Sequence, residues 1–97
     1  MTEVKKLIRR LQAEKDTLRE RFGIKSIGVF GSYIRNEQKK SSDLDVLVEF
    51  SKPIGLFKFV ELENYLSDEL GVKVDLVMKS SLKPYIGKVI LREVQYI

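Results

Sequence analysis

The chain has no cysteine, no histidine and no tryptophan among its 97 residues. Without Cys or His there can be no disulfide and no thiolate- or imidazole-ligated zinc. Cysteine nucleophiles and histidine general bases are excluded as well, and any bound metal must be held by oxygen. Two prolines and six glycines are too few for a linker or a low-complexity tract. No apolar run reaches the ~20 residues that cross a bilayer. The opening Met-Thr-Glu-Val-Lys-Lys leads into a charged helix rather than the apolar stretch of a secretion signal. We expect a soluble cytoplasmic protein with no membrane association, and the length predicts one domain over residues 1–97.

Charge is present in excess at both ends. Residues 1–25 carry eight Lys/Arg against four acids, residues 79–97 four against one, and the middle six against nine. Most such charge is solvated helix surface, although basic ends also suit a nucleotide, an RNA or an acidic partner.

Periodicity places the elements. Val4, Leu7, Ile8, Leu11 and Leu18 follow helical spacing, with Thr2 as a possible N-cap and Phe22-Gly23 as the stop. Ile24 to Phe30 reads as a strand running into Gly31-Ser32. Residues 33–42 read as a turn of helix and a loop. Residues 43–50 alternate, so Leu44, Val46, Val48 and Phe50 face one way. Leu56 to Leu70 reads as a helix with Leu56, Phe59, Val60, Leu66 and Leu70 inward and Gly71 as terminator. Val72 to Val77 is a third strand. Ser80 or Ser81 could cap a last helix, with Pro84 in its first turn and an apolar stripe of Ile86, Val89, Ile90, Val94 and Ile97. The predicted order is α-β-α-β-α-β-α, a small three-stranded sheet flanked by about four helices. Helix-separated strands suggest parallel pairing, but the short link between the first two also permits antiparallel pairing.

Each strand carries something chemical near one end. The second holds Asp43 and Asp45, which as i and i+2 point to one face about 6.6 Å apart. The third holds Asp75. Clustered carboxylates repel unless a cation lies between them, and oxygen-only ligands with high negative charge suit Mg²⁺. The first strand delivers Gly31-Ser32, where a glycine lets phosphate approach the backbone and a short helix start offers N–H groups to an anion. Singly, an Asp-x-Asp at a strand tip is more often a solvated edge, and a Gly-Ser pair more often a plain turn. Together they meet the requirement of phosphoryl or nucleotidyl transfer, a phosphate-binding wall facing a metal-binding one.

Gly31-Ser32, ten residues, then Asp43-Leu44-Asp45, with Asp75 on a later strand, resembles the Gly-Ser-x10-Asp-x-Asp signature of the DNA polymerase β-like nucleotidyltransferase superfamily. The string Gly-Ser-Tyr-Ile-Arg-Asn-Glu and the closing Leu-Lys-Pro-Tyr…Leu-Arg-Glu-Val are similar, more narrowly, to the minimal nucleotidyltransferase (MNT) antitoxins. The resemblance spans about residues 24–97. One departure stands out: Asn36 occupies a position that is often Gly, and Asn also tolerates left-handed backbone.

The resemblance implies a mixed α+β nucleotidyltransferase core. It implies two Mg²⁺ ions held by Asp43, Asp45 and Asp75, with Asp45 bridging and Asp75 holding an ion or taking a proton. It implies ATP as substrate, its phosphates on Gly31 and Ser32, with Arg35 pairing either with them or with Glu37. It implies transfer of AMP to a protein hydroxyl, a Tyr on a HEPN ribonuclease toxin that the chain would bind and silence. Two other readings stay open: a non-catalytic antitoxin that neutralises HEPN by complex formation, and a nucleotidyltransferase acting on RNA or a small molecule with a separate subunit.

Overall fold

The computed structural model describes residues 3–97, and the capping role expected of Thr2 lies outside them. The first helical stretch forms two helices, α1 (Glu3–Ala13) and α2 (Lys15–Phe22), joined at Glu14, whose φ of −92° and ψ of 0° break the regular spiral. Strand β1 (Ile24–Phe30), β2 (Leu44–Phe50), α3 (Leu56–Leu70) and β3 (Val74–Met78) follow. A 3₁₀ turn (Lys79–Ser81), α4 (Pro84–Glu93) and a short strand β4 (Gln95–Tyr96) complete the described chain. Gly23 and Gly71 end α2 and α3 in left-handed geometry, as expected. Among the described residues no helix is long and apolar enough to cross a membrane.

The sheet has four strands in the order β3-β2-β1-β4, one more than the sequence predicts. The extra strand arises because helix α4 stops at Glu93 and Val94 turns extended, with φ −60° and ψ 135°. Val94 and Ile97 therefore belong to an extended segment rather than to the helical stripe. The β1–β2 pair is antiparallel, the β2–β3 pair parallel and the β1–β4 pair antiparallel. The short β1–β2 link thus takes the antiparallel option, and the sheet is mixed.

One face of the sheet carries the core. Leu44, Val46 and Val48 of β2 pack with Leu7 and Leu11 of α1, Leu18 and Phe22 of α2, and Leu62, Leu66 and Leu70 of α3. In β1 a bulge between Ile24 and Ser26 shifts the pleat, so that Ile24 joins Ile27 and Val29 on this face although period two alone would separate them. Two inward assignments on α3 fail. Leu56 is 73% exposed and Val60 42%, because the core-facing stripe runs through Phe59, Leu62, Leu66 and Leu70, and Val60 lies on the outward side with Phe57, Glu61 and Asn64. Ile86 and Val89 of α4 are likewise exposed, and no side chain of α4 belongs to the core cluster. Lys83, not Ser80 or Ser81, occupies the α4 N-cap position, with Pro84 starting the helix.

Helix α3 also braces β3. The Val74 N–H donates to Ser67 Oγ at 3.0 Å, and the Leu76 N–H donates to a Glu63 carboxylate oxygen at 2.9 Å. Those amides would otherwise be unpaired at the sheet edge. Asp75 lies between them.

Candidate active site

Phe30 of β1 pairs with Asp45 of β2, which in turn pairs with Asp75 of β3. Register partners share a face, and neighbouring strands lie about 4.8 Å apart. Asp45 and Asp75 therefore stand side by side on the face opposite Leu44 and Val46. Asp43 precedes β2 by one residue, and the Leu44 N–H donating to Lys73 O at 2.8 Å holds this entry beside the start of β3. All three predicted carboxylates are gathered at one end of the sheet. Asp45 is half-buried and Asp75 exposed.

Electrostatics records the crowding. The Asp45 carboxyl is pushed from its ordinary 3.8 up to about 6, first by burial, then by Asp75 and Asp43, with Glu93 adding and Arg35 opposing.

Gly31 follows β1 directly, with φ +83°. A Cβ there would overlap the Asp45 carboxylate, so only glycine lets the turn close over this strand. The Ile34 and Arg35 N–H groups donate to Gly31 O at 3.0 and 3.2 Å, and the Glu37 N–H to Ser32 O at 2.8 Å. The Arg35-to-Gly31 bond closes the expected single turn of helix, which does not continue but runs into a further tight turn. Asn36 takes the left-handed geometry that its position requires, with φ 57°.

The amide expected to face an anion already has one. The Gly31 N–H donates to Glu93 Oε2 at 2.8 Å. Arg35 Nη1 donates to Glu93 Oε1 at 2.6 Å, and Arg35 Nε to Glu37 Oε1 at 2.5 Å. These bonds raise the Arg35 pKa further, Glu93 contributing most, so the guanidinium is a permanent cation. Of the two options for Arg35, the pairing with Glu37 is present. Glu93 was not singled out by the sequence analysis, although it is the one acid among the five charges of residues 79–97. That isolation was the available signal.

Among the described residues, no three Asp or Glu side chains close around a single point tightly enough to hold a metal alone. The charges of Asp75 and Asp43, which add to burial in lifting Asp45, nevertheless mark a place where a cation would be stabilised. Mg²⁺ is ordinarily held by one or two carboxylates together with substrate phosphates and water rather than by an all-protein cage. The open cluster fits that kind of ion.

Residues 11–97 match the model of the nucleotidyltransferase domain family. The chain is 60% identical to the protein adenylyltransferase MntA of Thermococcus cleftensis, over 90% of this chain and 88% of that one. A solved minimal nucleotidyltransferase superposes with a TM-score of 0.77 at 35% identity, covering 98% of this chain and 95% of the other. At 20% identity and a TM-score of 0.62, a complex of a tri-AMPylated Shewanella oneidensis HEPN toxin with its MNT antitoxin shares the fold, over 90% of this chain and 70% of that one. A strand-end glycine turn, paired aspartates and these likenesses agree, and the chain belongs to the nucleotidyltransferase family, in its minimal, protein-adenylyltransferase branch.

Proposed function

We propose that this nucleotidyltransferase moves AMP from ATP to a hydroxyl, a tyrosine, of a HEPN-type toxin and acts as that toxin's antitoxin. The observation that carries the proposal is the row Phe30–Asp45–Asp75, closed at one end by the Gly31 turn. Its aspartates can share a cation with a triphosphate, and its turn leaves no side chain in the way. The Thermococcus relative's name and the AMP carried by the Shewanella toxin support the choice of nucleotide and acceptor.

In this reading Asp43 and Asp45 hold Mg²⁺, and Asp75 completes the set. The metal, when bound, neutralises phosphate charge and makes an adjacent hydroxyl more acidic. Ser32 and Arg35 bind the β- and γ-phosphates from the turn side, with Gly31 giving them room. The acceptor oxygen forms a bond to the α-phosphorus, and the bond from that phosphorus to the β-phosphate oxygen breaks. Pyrophosphate leaves, and the hydroxyl proton passes to an Asp75 carboxylate oxygen. The exposure of Asp75 suits this role, because an acceptor on another protein must reach it.

A second reading has its own support. Tyr85, Ile86 and Val89 of α4 are 86%, 61% and 60% exposed, an apolar group fit for a stoichiometric protein complex without chemistry. Incubation with Mg²⁺, α-labelled ATP and the product of the adjacent gene separates the two. Label on that protein, lost in Asp43→Asn and Asp45→Asn, supports transfer. An inhibited but unlabelled partner supports binding alone, and label entering only RNA supports a nucleic-acid substrate.

A further inference from the structure

We propose that Glu93 is a positioning residue of the nucleotide site, holding Arg35 and the Gly31 turn in register with the aspartates from the far end of the chain. The inference rests on the nucleotidyltransferase reading and adds a residue to it.

The contacts are specific. One carboxylate oxygen accepts the Gly31 N–H at 2.8 Å and the other accepts Arg35 Nη1 at 2.6 Å. The Glu93 side chain is only 16% exposed, against 50% for Arg35. A guanidinium carries its donors in a rigid planar fork. With Nε on Glu37 and Nη1 on Glu93, its plane is held at two separate nitrogens. No bond to Nη2 is found among the described residues, which leaves that nitrogen for a phosphate oxygen.

The position of Glu93 is itself constrained. The helix ends there, and the Val94 N–H still donates to Ile90 O at 2.9 Å. Immediately after, Gln95 and Tyr96 pair with Val29 and Gly28, and the Ile97 N–H donates to Ile27 O at 3.1 Å. Gly28 makes this approach possible: a Cβ there would lie 2.7 Å from Val94 Cγ2 and 2.9 Å from Gln95 O. Glu93 is thus mounted at a helix-to-strand junction locked against β1, the strand that delivers Gly31. A carboxylate mounted this way is suited to staying in place while a triphosphate binds beside it.

The contrary interpretation is that Glu93 occupies the phosphate subsite and must be displaced. The two interpretations predict opposite signs. The metal-free protein and its Glu93→Ala, Glu93→Gln, Arg35→Ala and doubly substituted Glu93→Ala/Arg35→Ala forms would be titrated calorimetrically with AMP-PNP in Mg²⁺, with the melting temperature of each recorded. Positioning predicts about tenfold weaker binding for Glu93→Ala, partial recovery in Glu93→Gln, whose amide oxygen can still accept from Gly31, and a loss in the double form smaller than the sum of the two single losses. Unchanged or tighter binding in Glu93→Ala overturns the proposal, as does a double form whose losses simply add. If Glu93→Ala fails to fold, Glu93→Gln compared with the parent decides by the same sign. Absence of Mg²⁺-dependent binding in the unsubstituted protein is a separate result, which removes the nucleotidyltransferase reading itself.

Discussion

Asp45 and Asp75 are direct register partners across the parallel β2–β3 junction, so two carboxylates share one face one strand apart. The folded protein carries this repulsion whenever both are ionised. Asp45, pushed up to about 6 from 3.8, binds a proton more readily folded than unfolded. Its ionisation therefore costs stability progressively as pH rises from about 4 to about 6, and the cost is constant above. The shift alone corresponds to about 3 kcal/mol, which partial solvent screening reduces to about 1 kcal/mol. Asp45→Asn should raise the metal-free melting temperature at pH 7.5 by a few degrees and leave it nearly unchanged at pH 4, while transfer activity is lost. Scanning calorimetry at both pH values checks this, and a lower melting temperature at pH 7.5 would contradict it.

Proton and metal compete for the same carboxylates. Affinity for Mg²⁺ and AMP-PNP should be flat above pH 7 and fall as pH drops through about 6, the value to which Asp45 is pushed. Isothermal titration at pH 5.5 and 7.5, in buffers of differing ionisation enthalpy, should show proton release on binding at the lower pH. No proton release there would detach Asp45 from the metal.

Gly31→Ala introduces a methyl into the Asp45 carboxylate at φ +83°. The left-handed backbone costs about 1–2 kcal/mol for a non-glycine residue, and the overlap must push either the turn or Asp45 aside. We expect a stability loss above that figure by urea denaturation and loss of nucleotide binding. A variant that kept full affinity would show that the turn and Asp45 need not approach closely.

Gly28→Ala acts at a distance. Its Cβ meets Val94 and the Gln95 backbone, so β4 must shift while the aspartates stay untouched. Overpacking of this kind costs about 1–3 kcal/mol. Faster amide exchange at Ile97, whose N–H donates to Ile27 O, should accompany weaker nucleotide binding.

Tyr65 ties α3 to the junction of α1 and α2 through its hydroxyl, which donates to Glu14 Oε2 at 2.6 Å. That bond, more than burial, pushes the phenol from 10.0 up to about 12. Because the folded pKa is the higher one, the contribution is full below pH 10 and lost as pH rises toward 12. Tyr65→Phe should cost about 1 kcal/mol at neutral pH, read by chemical denaturation, with activity retained.

The readable and unreadable parts of this protein divide along physical lines. Alternation in residues 43–50 assigns Asp43 and Asp45 to the face opposite Leu44, Val46 and Val48, since period two admits one solution. The family signature adds Gly31 and Asp75, but only strand pairing makes Asp75 the partner of Asp45. Helical periodicity was weaker. Leu56 and Val60 flank the stripe of α3 that packs on the core through Phe59, Leu62, Leu66 and Leu70, and apolar spacing alone did not tell the flank from the centre. The run Val94 to Ile97 extended the stripe of α4 because β-branched residues suit either pattern at that length. Glu93 gave only the weak signal of a lone acid in residues 79–97: its partner Gly31 lies 62 residues away, and no local pattern records a bond of that span.

The pairing of β4 with β1 has a consequence for biosynthesis. Residues 24–30 leave the ribosome long before residues 95–96, so a nascent chain can gather its helices on the core face while one edge of β1 stays bare. Arg35 and the Gly31 turn acquire their clamp only once Glu93 has been added. A message cut short after α3 and β3 would release a chain with every aspartate in place and no grip on the arginine.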